Sequence, residues 1–242
     1  MGYLDAVIEL LQEVRATQGE AITRAGEIIA EAIAADHLVY AFGPTHAGIL
    51  AQELFYRAGG LVPVNPILPP GLTCDVRPIT LTTRFERLPG FGAQVIAGTP
   101  VRAGDVLIVI SVSGRNAAAV EVAQGGKARG ATVIALTSLA YSRSVAPRQA
   151  GMPRLFEVAD LVLDCRAPVG DALAEVAGLP QRAGPASTVT GAAILNAVMV
   201  RAIELLLERG HEAPVFISAN VEGGDEHNRR LIERYRGRLT YL

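Results

Sequence analysis

Leu4, Val7, Ile8, Leu11 and Val14 recur at spacings of three and four, the period of a helix with one apolar face. Ile22, Ile28, Ile29 and Ile33 continue the stripe beyond a soft spot at Gly19, so residues 3–35 are expected to be helical. Such a helix either covers the core of its own domain or packs on a partner subunit. The pattern then changes to apolar blocks alternating with helical ones. HLVYAFG (37–43), LVPVNPI (61–67), DVLIVISV (105–112), ATVIALTS (131–138) and ADLVLDC (159–165) read as strands. The prolines of the second push it toward a sheet edge.

Between these strands lie THAGILAQELFYRAGG (45–60) and RNAAAVEVAQGGKARG (115–130), both helical in pattern and both ending in glycine. Residues 68–90 are rich in Pro, Thr and Arg and read as irregular with one short helix. STVTGAAILNAVMVRAIELLLERG (187–210) is the longest helical pattern, preceded by a Pro/Gly-rich connection (165–187) with room for a short helix. DEHNRRLIERYRGRL (225–239) predicts a last, charged helix. Strand, helix and strand repeating at this spacing predict an α/β fold with a parallel sheet and helices on both faces. The expected division is an N-terminal helical arm (1–36), a main α/β domain (37–210) and a tail with a helix completing the same domain (211–242).

The chain has 242 residues, half of them hydrophobic, enough for one domain with a sizeable core. A formal net charge of -2, with no basic tract, gives no expectation of nucleic acid as a partner. The two cysteines, Cys74 and Cys165, fit a reducing cytoplasm rather than a disulfide scaffold. The N-terminus lacks the order of a signal peptide, and no uninterrupted apolar run reaches 18 residues, so no membrane association is expected. The four histidines do not fall at metal spacing with the cysteines, and no structural metal is expected.

The strand at 105–112 runs into Ser111, Ser113, Gly114 and Asn116 just before a helix. In an open parallel sheet, ligands sit beyond the carboxyl ends of the strands. A helix starting there points free N–H groups and a partial positive charge at the site. The hydroxyls and the amide add donors, and a phosphate needs several. The plain alternative is a serine capping an ordinary turn. The first strand ends the same way, in Gly43, Pro44, Thr45 and His46, and two such turns can face one anion if their strands are neighbours. Neither turn carries GxGxxG or GxxxxGK[ST], which disfavours a dinucleotide or a nucleoside triphosphate.

SVSGRN (111–116) between strand and helix resembles the Ser-x-Ser-Gly-x-Thr phosphate loop of the SIS (sugar isomerase) family. FGPTHAG (42–48) is similar to that family's first loop, and GATVIALTS (130–138) to the strand after the phosphate-loop helix. The resemblance covers about residues 37–210 and extends to stand-alone bacterial members ending in a segment like PVFISANVEGGDEHNRRLIERY (214–235). It implies a three-layer α/β/α sandwich around a five-stranded parallel sheet that binds a small-molecule phosphosugar. The activities it implies are aldose–ketose isomerisation without a cofactor, ether cleavage of the N-acetylmuramic acid 6-phosphate type, or sugar-phosphate sensing. Carried over, Ser111 and Ser113 keep the family serines, Asn116 stands where Thr is usual, and Thr45 supplies the first-loop hydroxyl.

Isomerisation needs a base to move a proton between carbons and a relay between oxygens; a carboxylate and an imidazole suffice. Glu53, on a helix where related isomerases place a catalytic Glu, is the first candidate, with Glu86 in reserve. His46 sits beside the presumed sugar and is the imidazole candidate for the relay. His227, in the polar group GGDEHN, completes a site across a dimer interface or is structural. Ser187 and Thr188 contact ligand or cap their helix. His211 is expected to interact with a helix end, and His37 to be structural. The apolar N-terminal helices and the long Ala-rich helix suggest a homodimer or a dimer of dimers.

Overall fold

The computed structural model describes residues 2–241. The chain opens with helices α1 (Tyr3–Thr17) and α2 (Gly19–Ala34), broken at Gln18. Strand β1 (Val39–Phe42), helix α3 (Ala47–Glu53) and strand β2 (Val64–Ile67) follow. Two short helices come next, α4 (Thr80–Arg87) and α5 (Phe91–Ala97), then β3 (Val106–Ile110), α6 (Ala117–Ala128) and β4 (Thr132–Thr137). Helices α7 (Leu139–Ser144) and α8 (Leu155–Val158) lead into β5 (Leu161–Asp164). A small antiparallel hairpin, β6 (Ala172–Ala174) and β7 (Ala183–Pro185), precedes the long α9 (Ser187–Glu208) and the final α10 (Gly224–Tyr235).

The five main strands form one parallel sheet in the order β2-β1-β3-β4-β5. Side chains alternate across it with period two. Val106, Ile108 and Ile110 enter one core with α2, α3 and α9; Leu107 and Val109 enter the other with α5, α6 and α8. Both faces are therefore buried, and the fold is the expected three-layer α/β/α sandwich. α2 is an inner element, since Ala25, Ile29 and Ala30 are fully buried against α9 and the sheet. α9 is long and apolar enough to cross a bilayer by length and composition alone. Here Ile194, Leu195, Val198 and Ala202 bury its inner face in the core.

β2 is an edge strand, as its prolines imply. Val39 N–H donates to Pro63 C=O at 2.9 Å, and Val64 N–H turns back to Val62 C=O at 2.8 Å. The connection after β5 differs from expectation: it forms the β6–β7 hairpin instead of a helix. α5 was not anticipated. Its first amides are capped from outside, by the Glu121 carboxylate of α6, which accepts from Gly90 N–H (2.7 Å) and Ala93 N–H (3.2 Å). α3 is shorter than the sequence pattern, ending at Glu53. α9 closes at Gly210, with φ of 76°, and His211 contributes its main-chain N–H to Leu206 C=O at 2.8 Å.

Candidate functional site

Strand order reverses direction at β1 and β3, and the carboxyl ends of this pair are where an open α/β sheet leaves a crevice. After β1, Gly43 lets the turn double back tightly: a Cβ there would lie 2.4 Å from Ala47 carbonyl oxygen. Thr45 adopts a left-handed backbone, φ 57°, fixed by its N–H to Leu72 C=O at 2.7 Å. A β-branched residue in that region is strained by about 1–3 kcal/mol, and such strain concentrates at functional turns.

After β3, the chain passes through Ser111, Ser113 and Gly114 to the start of α6. Gly114 has φ 57°, and a Cβ on it would meet Ser142 Oγ at 2.9 Å. Main-chain bonds from Leu155 N–H to Gly114 C=O (2.8 Å) and from Arg148 N–H to Arg115 C=O (3.0 Å) pin the loop. Asn116 occupies the N-cap of α6 but does not cap it with its side chain. Its Oδ1 instead accepts from Arg148 Nε at 3.2 Å, and its side chain also favours the ionised form of Glu86. The first amides of α6 thus remain available to an anion.

The two turns share a cleft of about 410 Å³, lined by Thr45, His46, Ser111, Ser113, Asn116, Ser187 and Thr188. Glu86, Tyr141 and Asp171 complete its wall. The hydroxyls of Thr137 and Ser138 are committed to main-chain carbonyls, and that of Ser187 to Asp171. Those of Thr45, Ser111, Ser113 and Thr188 have no protein hydrogen-bond partner among the described residues. Glu86 is half-buried, and burial pushes its carboxyl above the ordinary value of 4.5; Asn116, Arg87 and Arg148 pull the other way. Arg148 is itself lowered, first by desolvation and then by Arg115 and Arg87 nearby. A larger cavity of about 480 Å³ runs along β2 and α5, lined by Tyr40, Phe91, Val95 and Tyr241. It is mostly apolar and is lined by no carboxylate or imidazole.

Two candidates lie outside this cleft. Glu53 is six residues beyond Ala47 on α3, about 9 Å along the axis. Its carboxylate accepts from Arg57 and, at 3.2 Å, from Asn196 Nδ2 of α9, and it does not line the cavity. His227 does not line it either. Its Nε2 meets Val215 carbonyl oxygen at 2.9 Å, while the Asn228 amide bonds both N–H and C=O of Ile217, so α10 is stitched to the preceding segment. Gly43 and Gly114 shape the turns without lining the cleft. Ser187 is the first helical residue after the N-cap Ala186, and the capping acceptor is Asp171, sixteen residues upstream. Asp171 and Tyr141 were not anticipated. Asp171 is one of two acids, with Glu175, in a Pro/Gly-rich connection, and no local pattern joins it to α9.

The SIS domain family model matches residues 2–138, which takes in α1 and α2 as well as both turns. A UPF0309 protein of Shouchella clausii is 43% identical over 240 residues, covering 99% of this chain and 98% of the relative. Among solved structures, a phosphoheptose isomerase from Francisella tularensis aligns with a TM-score of 0.54 at 17% identity, over 84% of this chain and 95% of that one. The Vibrio vulnificus NanR protein complexed with ManNAc-6P aligns with a TM-score of 0.54 at 14% identity, over 98% of this chain and 69% of that one. Fold, turns and family match agree, and the chain belongs to the SIS domain family.

Proposed function

We infer that the cleft binds the phosphate ester of a sugar and moves protons on it, as an aldose–ketose sugar-phosphate isomerase without a cofactor. The observation carrying this reading is the gathering of four unpartnered hydroxyls, the free start of α6, the half-buried carboxylates of Glu86 and Asp171 and one imidazole in a single cavity. The phosphate takes the hydroxyls of Thr45, Ser111 and Ser113 and the first amides of α6. Glu86 replaces Glu53 as the base: it removes the proton from C2 of the aldose and returns it to C1, through an enediol. His46 relays the proton between O2 and O1. A carboxyl raised by burial is a stronger base once ionised, which suits this task.

The test is an assay across hexose, pentose, heptose and N-acetylmuramyl phosphates, read for both isomer and lactate. Isomer formation that Glu86→Gln abolishes while binding persists is the expected result. Lactate without isomer replaces isomerisation with ether cleavage on the same carboxylate; binding without turnover leaves a sensor. Ser113→Ala should weaken the ester by about 1.5–3 kcal/mol, since it removes a hydrogen bond to a charged group.

Self-association is part of the same reading. On the outer face of α9, Val189, Ala193, Asn196, Val200, Ile203 and Leu207 follow one another at spacings of four and three. Val200 and Leu207 are 53% and 60% exposed in the single chain. This is the seam of a two-helix pairing with one polar position, and it supports a homodimer built on α9.

A further inference from the structure

Ser187 and Asp171 line the cleft from the start of α9 and the loop before it, elements separate from the two phosphate turns, and their hydrogen bonds fix which way the Ser187 hydroxyl points. Asp171 Oδ1 accepts the Ser187 N–H at 2.8 Å and the Ala186 N–H at 3.3 Å. Asp171 Oδ2 accepts the Ser187 hydroxyl at 2.7 Å. The hydroxyl hydrogen is therefore committed to Asp171, and the oxygen has only lone pairs to offer the cleft. Asp171 is held there by the fold. Its backbone is left-handed, φ 66°, with its N–H on Pro168 C=O at 2.9 Å and its C=O on Ala186 N–H at 2.9 Å. The side chain caps α9 while the main chain ties down the loop before it.

Thr45, Ser111 and Ser113 are free to donate, whereas Ser187 can only accept and stands beside a carboxylate. An anion is welcome at the first end. At the second it meets the lone pairs of Ser187 and the negative charge of Asp171, with the Thr188 hydroxyl as the donor beside them. We propose that Asp171, acting through Ser187, is the specificity-determining residue of the cleft: it selects a phosphomonoester with a free hydroxyl away from the phosphate and rejects a second anionic group there. The assignment rests on phosphate-ester binding in this cleft and adds its polarity. Asp171 is a positioning residue for Ser187; Ser187 makes the contact.

The test compares Kd values for inorganic phosphate, fructose 6-phosphate and fructose 1,6-bisphosphate by calorimetry. Wild type is expected to bind the monophosphate more tightly than the bisphosphate. Asp171→Asn removes the charge and turns an amide donor toward Ser187, freeing its hydroxyl to donate. The ratio should shift toward the bisphosphate by about tenfold or more. Ser187→Ala, which keeps the helix and the carboxylate, should weaken fructose 6-phosphate but not inorganic phosphate; Ser113→Ala should weaken both. If wild type binds both esters and the ratio does not move in Asp171→Asn, the polarity is overturned while phosphate binding stands. An equal loss of inorganic phosphate and monoester in Ser187→Ala also overturns it. If wild type binds none of the three, the phosphate reading and this one fall together.

Discussion

Glu86 is a half-buried carboxyl of the cleft whose ionisation the fold opposes. Its folded pKa lies above the ordinary 4.5 because burial disfavours the anion. The native state therefore holds its proton more tightly than the unfolded chain. That contribution to stability is full below pH 4.5 and is lost as pH rises through the raised value. Thermal melts of Glu86→Gln should exceed wild type at pH 7 to 8, and the advantage should vanish in acid. A melting difference independent of pH would remove Glu86 as a buried ionisable group. The cysteines make a simpler contrast. Cys74 is exposed, while burial pushes the Cys165 thiol up to about 12. Maleimide should label only Cys74 in the native protein and both thiols after unfolding.

At the residue scale the sequence was a good guide where chemistry and local turn coincide. Ser111, Ser113, Thr45 and His46 sit next to strand ends that hydrophobic runs mark plainly, and the structure brings them into one cavity. That Glu86 lines the cleft and Glu53 does not is legible only in three dimensions. Glu53 lies on a well-formed helical pattern that points it at Asn196, whereas Glu86 belongs to a segment with little pattern of its own.

Elements repeat this division. Runs such as DVLIVISV declare themselves because both faces of a parallel strand are buried. α5 and the β6–β7 hairpin do not, because their partners are remote: Glu121 supplies the cap of one, and three-residue strands carry too short a period to read. Contact between α5 and α6 can be tested directly. A Cβ on Gly92 would lie 2.4 Å from Ala118 carbonyl oxygen, and main chain cannot swing aside. Gly92→Ala should cost about 1–3 kcal/mol in denaturant unfolding. Gly19→Ala, with nothing within 4 Å and a helical position, should instead gain up to about 1 kcal/mol. Equal effects from the two would deny that α5 packs tightly on α6.

For the whole molecule, the division into arm, main domain and tail reads differently in three dimensions. α2 lies under the sheet with α9, and the family match begins at residue 2. Light scattering should give a particle heavier than the 25.4 kDa chain. Val200→Glu, placing a charge in the middle of the α9 seam, should return it to single-chain mass without lowering phosphate affinity in the cleft. A wild-type particle of single-chain mass would dispose of the seam.

The rim of the sheet narrows how copies can meet. Val39 bonds to Pro63, so in the alternation of a parallel pair Asn65 and Ile67 aim their amides inward, and Val64 and Pro66 face out. Proline has no hydrogen to give, and Val64 has turned its own back onto Val62. On the opposite flank, the Asp164 amide is taken by the Gln18 side chain at 2.9 Å. A sixth strand approaching β2 would find no donor along its length, so ribbon-like growth is blocked there.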